Sequence, residues 1–114
     1  MTFDDFRKIA LSFPEAEERA HMNHPDFRVK GKIFATLGSP NAEFGMVKIS
    51  PEQQETYVAA QPKMFRPVAG AWGRQGCTHV LLGEATAKAV EPALGDAWQL
   101  ASTAPAKKTR KRRV

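Results

Sequence analysis

FRVKGKIFATL, residues 27–37, reads as two short runs of strand-forming residues on either side of Lys30-Gly31-Lys32. Branched and aromatic side chains suit a pleated surface, and a glycine-centred break of this length joins antiparallel strands. The register can be tested from the pattern. With a three-residue turn, Phe27, Val29, Ile33, Ala35 and Leu37 fall on one face and make an apolar set that a core would take up. A two-residue turn at Lys30-Gly31 would put Val29 and Ile33 on opposite faces. The three-residue turn is therefore expected.

A hairpin needs partners, and the flanking sequence supplies them. Glu18–Met22, Phe44–Ile49 and His79–Leu82 are expected strands. Thr2 can cap a first helix, with Asp4 and Asp5 in its positive first turn. Phe3, Phe6, Ile9, Ala10 and Phe13 then recur at helical spacing until Pro14 stops the run. Ser50-Pro51-Glu52-Gln53 places a capping serine, a proline at the first helical position and a glutamine at the third, and predicts a helix to about Ala60. A third helix, Thr86 to Ala101, sets Ala87, Val90, Leu94, Ala97, Trp98 and Ala101 on one face, with Pro92 and Gly95 expected to kink or delay it. This order predicts one α+β domain over residues 1–103, an antiparallel sheet of about five strands packed against helices on one face.

A chain of 114 residues suits a single core. Its apolar runs are only a few residues long, so no membrane span is expected. The acidic start, MTFDDFRKIALSFPEAEE, is unlike a secretory signal. Cys77 is the one cysteine, which excludes an internal disulfide and suits a reducing compartment. A cytoplasmic monomer is expected. Net charge is +5, but of the 17 basic residues six lie at the C-terminus: Lys107, Lys108, Arg110, Lys111, Arg112 and Arg113. That leaves 11 basic against 12 acidic residues, a net of −1 for residues 1–104. The basicity belongs to a tail, residues 104–114, whose composition predicts disorder.

Several segments, in this order, carry a resemblance: SFPEAEE (12–18), HPDFRVKGKIFATL (24–37), FGMVKISPEQQ (44–54), FRPVAGAWGRQGCTHV (65–80) and ALGDAW (93–98). Together they resemble the MmcQ/YjbR family of small bacterial proteins, over about residues 3–101. The resemblance implies a compact frataxin-like α+β fold, the double-wing motif, and DNA binding as its activity. Cys77 stands where the family's GRxGxT segment often has a tryptophan.

Candidate binding residues fall in three places. Arg28, Lys30 and Lys32 bracket the hairpin tip, with Asp26 the one nearby acid, and such a hairpin can lie along a phosphate backbone. The bland alternative is a turn with solvated lysines. The long segment Phe65–Val80 follows no strand or helix period and carries Arg66, Trp72 and Arg74. Trp72 is placed to stack on a ring while Arg74 holds a phosphate or carboxylate, and Lys48 leaves its strand just before the capped helix. Alternatively, Trp72 plugs the edge of the core and Arg74 pairs with an acid such as Glu18. The tail would neutralise phosphates without reading sequence.

Other chemistries are poorly supported. His21-x-x-His24 and Cys77-x-His79 supply four potential zinc ligands, but zinc sites use tighter repeated pairs, so no metal or cofactor is expected. There is no phosphate-cradling or dinucleotide glycine motif and no nucleophile elbow, so no catalytic residue is expected. Two readings of function remain. One is a non-enzymatic DNA-binding module contacting phosphates through Arg28, Lys30, Lys32 and Arg74, with Trp72 bracing the loop and a nonspecific tail. The other is a groove for a small anion or an acidic protein partner, lined by Arg28, Lys48, Trp72 and Arg74, with polyanion affinity confined to the tail.

Overall fold

The computed structural model describes residues 1–103. The basic tail therefore lies outside the described residues. In chain order the elements are α1 (Phe3–Leu11), β1 (Glu17–His21), β2 (His24–Val29), β3 (Lys32–Leu37), β4 (Phe44–Lys48), α2 (Pro51–Ala60), β5 (Phe65–Pro67), α3 (Ala71–Arg74), β6 (Cys77–Leu81) and α4 (Ala87–Thr103). The six strands form one antiparallel sheet in the order β1-β2-β3-β4-β6-β5. No helix among the described residues is long and apolar enough to cross a membrane.

The helix starts follow the expected chemistry. The Thr2 hydroxyl accepts from the Asp5 backbone N–H at 3.1 Å, and the Asp5 carboxylate accepts from the Thr2 N–H at 3.0 Å. The same box recurs at α2, where Ser50 and Gln53 exchange two bonds across Pro51. In α4 the helix runs through both Pro92 and Gly95. Proline there forfeits one backbone bond, but the ring sits on the exposed side, and the buried face of Val90, Ala93, Leu94 and Ala97 holds the helix down.

Helix α4 crosses β2, β3 and β4, with α1 beside it. Phe6 and Ala10 of α1 are fully buried, while Phe3, Ile9 and Phe13 pack partly buried against the same core. Phe27, Val29, Phe34, Ala35, Leu37, Val47, Phe65 and Val80 complete it from the sheet. At the β5–β6 end, α2 packs the Tyr57 ring 5.3 Å from Phe65, and the Tyr57 hydroxyl donates to Asp96 of α4 at 2.7 Å. Helices α1, α2 and α4 thus cover one face of the sheet.

The hairpin differs from its expected register. Val29 pairs with Lys32, so the turn has two residues, Lys30 and Gly31, with φ of 54° and 79°. Both angles lie in the left-handed region that a tight right-twisting hairpin demands. Ile33 consequently falls opposite Arg28, away from the core, as a two-residue turn dictates. The core is satisfied another way. The register shifts between Phe27 and Arg28, whose partners are Ala35 and Ile33, so Phe34 is an extra residue in β3. This bulge buries Phe34 and Ala35 in succession and leaves Leu37 facing inward.

The segment after α2 is also more ordered than its irregular sequence suggests. Phe65, Arg66 and Pro67 pair with Val80, His79 and Thr78, which makes β5 an edge strand and the sixth of the sheet. Pro67 fits there because an edge leaves its missing N–H unneeded. Gly76, with φ +110°, lets the chain return against β4's end: a Cβ would stand 1.8 Å from the Ile49 carbonyl oxygen.

The two-residue turn makes a direct prediction. Lys30→Asn should raise the unfolding free energy by roughly 0.5–1 kcal/mol, because asparagine tolerates left-handed backbone better than lysine. Urea denaturation checks it; a loss of stability would contradict the turn geometry.

Candidate functional site: the open face of the sheet

The face turned away from α1, α2 and α4 carries the chemistry. Its central rung runs Asp26, Thr36, Met46, His79 and Arg66 across β2, β3, β4, β6 and β5. Arg28 with Ile33, and Lys48 with Cys77, form further pairs on that face. Above the floor lies a cavity of about 550 Å³ bordered by Ile33, Thr36, Met46, Cys77 and His79, with Met22, His21 and His24 at one end and Trp72 at the other.

Asp26 organises the β2 end. Its side chain is fully buried, and its carboxylate accepts from Arg28 Nε at 2.7 Å and Nη2 at 3.1 Å. The Arg28 bonds, then the His21 bond, hold its carboxyl below the usual range against the opposing effect of burial. An ionised Asp26 accepts from His21 Nδ1, 2.7 Å away, and so orients a ring that is 44% exposed. Arg28 is thus fixed to a buried anion and is itself only 28% exposed.

His79 marks the other end. Its ring lies 5.2 Å from Phe44, and the Arg66 guanidinium sits 5.8 Å over the same Phe44 ring. Burial, and then the Arg66 charge, push the His79 imidazole down from its ordinary value, so it is neutral at pH 7. Its Nδ1 is buried without a hydrogen-bond partner. Burial likewise pushes the Cys77 thiol up, and a protonated buried thiol is not an activated nucleophile. Among the described residues no group of three or more His, Cys, Asp or Glu side chains could hold a metal ion.

The expected hairpin cluster is divided. Arg28 is on the open face but bonded to Asp26; Lys32 shares the Val29 side by register; Lys30 Nζ lies 3.4 Å from the Ser102 carbonyl at the end of α4. The second group comes together better. Lys48 and Trp72 border the cavity, Arg66 is on the same face, and Arg74 is exposed on α3. Trp72 does not plug the core, being 61% exposed, and Glu18 pairs with Arg7 at 2.8 Å rather than with Arg74. Lys107, Lys108, Arg110, Lys111, Arg112 and Arg113 lie outside the described residues.

A family model described as YjbR matches residues 11–100. The chain belongs to the YjbR family. A crystal structure of a Deinococcus radiodurans protein with a DUF419 domain superposes with a TM-score of 0.73 at 21% identity, covering 90% of this chain and 79% of that one. A Pseudomonas syringae protein gives 0.65 at 18% identity, covering 89% and 99%. These likenesses establish the fold. No curated protein matches the chain.

In this YjbR protein sequence reasoning missed Met22, Thr36 and Met46 as site residues, and weighed His21 and His24 only as metal ligands and Asp26 only as an acid beside the hairpin cations. The alternation His24-Pro25-Asp26-Phe27-Arg28-Val29 carried a signal, polar on one face and apolar on the other, for a strand beginning three residues before Phe27.

Two outcomes follow from the buried charges. Asp26→Asn should lower stability at pH 7 by about 1–3 kcal/mol through weakened bonds to Arg28 and His21. Because folding lowers the Asp26 pKa, its contribution is present above the unfolded value of 3.8 and is lost as pH falls through the folded one, so denaturation curves of variant and wild type should converge below 3.8. For His79 the unfolded chain takes up a proton near 6.5 that the folded state resists. Wild-type stability should therefore fall as pH drops below 6.5, and His79→Gln should flatten that dependence in a thermal melt series.

Proposed function

We propose that this YjbR protein is a nucleic-acid-binding module that lays a single strand across the open face of its sheet. The distribution of charge carries the reading. Residues 1–104 have a net charge of −1, yet the strand positions facing away from the helices hold Arg19, Arg28, Lys48 and Arg66 against only Glu17 and Asp26. Most acids sit instead on the helices and loops, and Glu18 faces Arg7 of α1. A local excess of cations beside an exposed tryptophan suits a polyanion with accessible rings.

A single strand fits better than a duplex. A duplex needs a protruding element to reach its grooves, and the hairpin tip is a poor wing, with Arg28 bonded to Asp26 and Lys30 near the end of α4. A sheet face that holds a cavity with an aromatic at its rim instead accepts bases already out of a stack. Lys48, Arg66 and Arg74 are assigned to phosphates, and the tail adds affinity without selectivity.

A cavity of about 550 Å³ also supports a second reading, a small organic anion held by Lys48, since such sites occupy roughly 300–1,000 Å³. Fluorescence titration of the full chain and of residues 1–103 with single- and double-stranded DNA, over a salt series, separates the possibilities. Residues 1–103 should prefer the single strand, and log affinity should fall by about 0.7 per phosphate contact with log salt. Affinity seen only with the tail would sink the proposal and leave the small-anion reading, for which thermal stabilisation by the anion is the readout.

A further inference from the structure

We infer that Met22 and Trp72 form the two walls of a nucleobase subsite in the open-face cavity, with Lys48 meeting the phosphate of the same nucleotide. This rests on the reading of that face as a single-strand surface.

Met22 is the informative residue. It and Asn23 join β1 to β2 with φ of 49° and 66°, both left-handed. Such a turn favours asparagine, aspartate or glycine at each position, and Asn23 conforms. Methionine does not, and left-handed backbone is costly for it. Nor does the core call for this side chain, which is 85% exposed. A residue that neither the turn nor the core requires, yet that borders the cavity, points to a role in the cavity.

Trp72 stands in the same position from the other end. It is 61% exposed and borders the same cavity. Its short helix is held firmly, because Gln54 Nε2 of α2 lies 3.0 Å from the Gly73 carbonyl, 2.9 Å from that of Cys77 and 3.1 Å from Thr78 Oγ1. One wall is therefore an aromatic side chain on an anchored backbone and the other a flexible, polarisable thioether. That pairing suits a flat π-system, since the indole stacks on a ring face and sulfur makes favourable contacts with aromatic rings.

The rest of the cavity fits the same occupant. Thr36 offers a hydroxyl on the floor, and His21, its ring oriented through Nδ1 by Asp26, offers a second polar group. A base edge carries both donors and acceptors that such groups can meet. Lys48, exposed at the end of β4, supplies the cation that a plain aromatic ligand would not need.

The test compares a fluorescent single-stranded oligodeoxynucleotide with an abasic strand of equal length, using the full chain. Wild type should bind the base-bearing strand about tenfold more tightly, the scale of one base–aromatic stack. Trp72→Ala and Met22→Asn should each reduce that ratio severalfold without changing abasic affinity, and Trp72→Phe should keep most of it. Both side chains are exposed, and asparagine suits the Met22 turn, so the variants should melt like wild type. Equal binding of the two strands by wild type, or an equal loss on both strands in Trp72→Ala, would overturn the subsite and leave the single-strand reading standing. Absence of binding to either strand would overturn both.

Discussion

One extra residue in β3 governs both faces of the sheet. The Lys30-Gly31 turn sets Val29 opposite Lys32 and Arg28 opposite Ile33, and an unbroken ladder from there would have turned Ala35 and Leu37 outward. The bulge at Phe34 resets the alternation, so that Ala35 meets Phe27 and Thr36 meets Asp26. The core gains two buried residues in succession. The open face gains Arg28, Ile33 and Thr36 in line with Met46 and His79. Core and cavity are therefore two consequences of the same local irregularity, and a bulge is a usual device for re-aiming side chains beside a site.

The second organising feature is the Asp26 carboxylate. A fully buried anion is tolerable only where hydrogen bonds replace water, and Arg28 and His21 supply them. The arrangement has a cost in binding potential, since the most buried arginine on the face is already neutralised. It returns a histidine ring oriented through its Nδ1 at the cavity's end. The cations able to meet a ligand lie toward the opposite end, on β4, β5 and α3, which shifts the electrostatic centre from the hairpin tip to the neighbourhood of Trp72.

Much of the fold was legible because its signals are local. Capping serine and threonine, Pro51 at a helix start and the apolar periods of α1 and α4 act within a few residues, and those elements formed where the pattern placed them. The α+β class followed from their order. The bulge was not legible, since it depends on which of Ile33 and Phe34 packs better once α4 is in place. The pairing of β5 with β6 was hidden for a similar reason: three residues ending in proline carry no strand period, and only the partner strand makes them one. The open-face cavity assembles residues from five segments, so Lys48 and Trp72 were visible as chemistry while their common neighbours, Thr36 and Met46, were visible only as sheet.

The rigidity of the site is graded across the sheet, and Gln54 explains why. A single amide on α2 reaches two backbone carbonyls and the Thr78 hydroxyl, and Thr78 donates in turn to the Gly76 carbonyl. This network fastens α3 to the sheet by backbone groups, which side-chain substitution in α3 cannot remove. Among the described residues no comparable network braces the β1–β2 turn; β1 is an edge strand with every residue exposed, and its turn holds two left-handed residues in sequence. A ligand entering the cavity thus meets one wall carried on an anchored backbone and one carried on a less braced turn. The anchored α3 backbone limits the entropy lost on binding, while adaptability at Met22 allows rings of different size to be accommodated. That combination favours affinity for a class of flat ligands over selection of a single one.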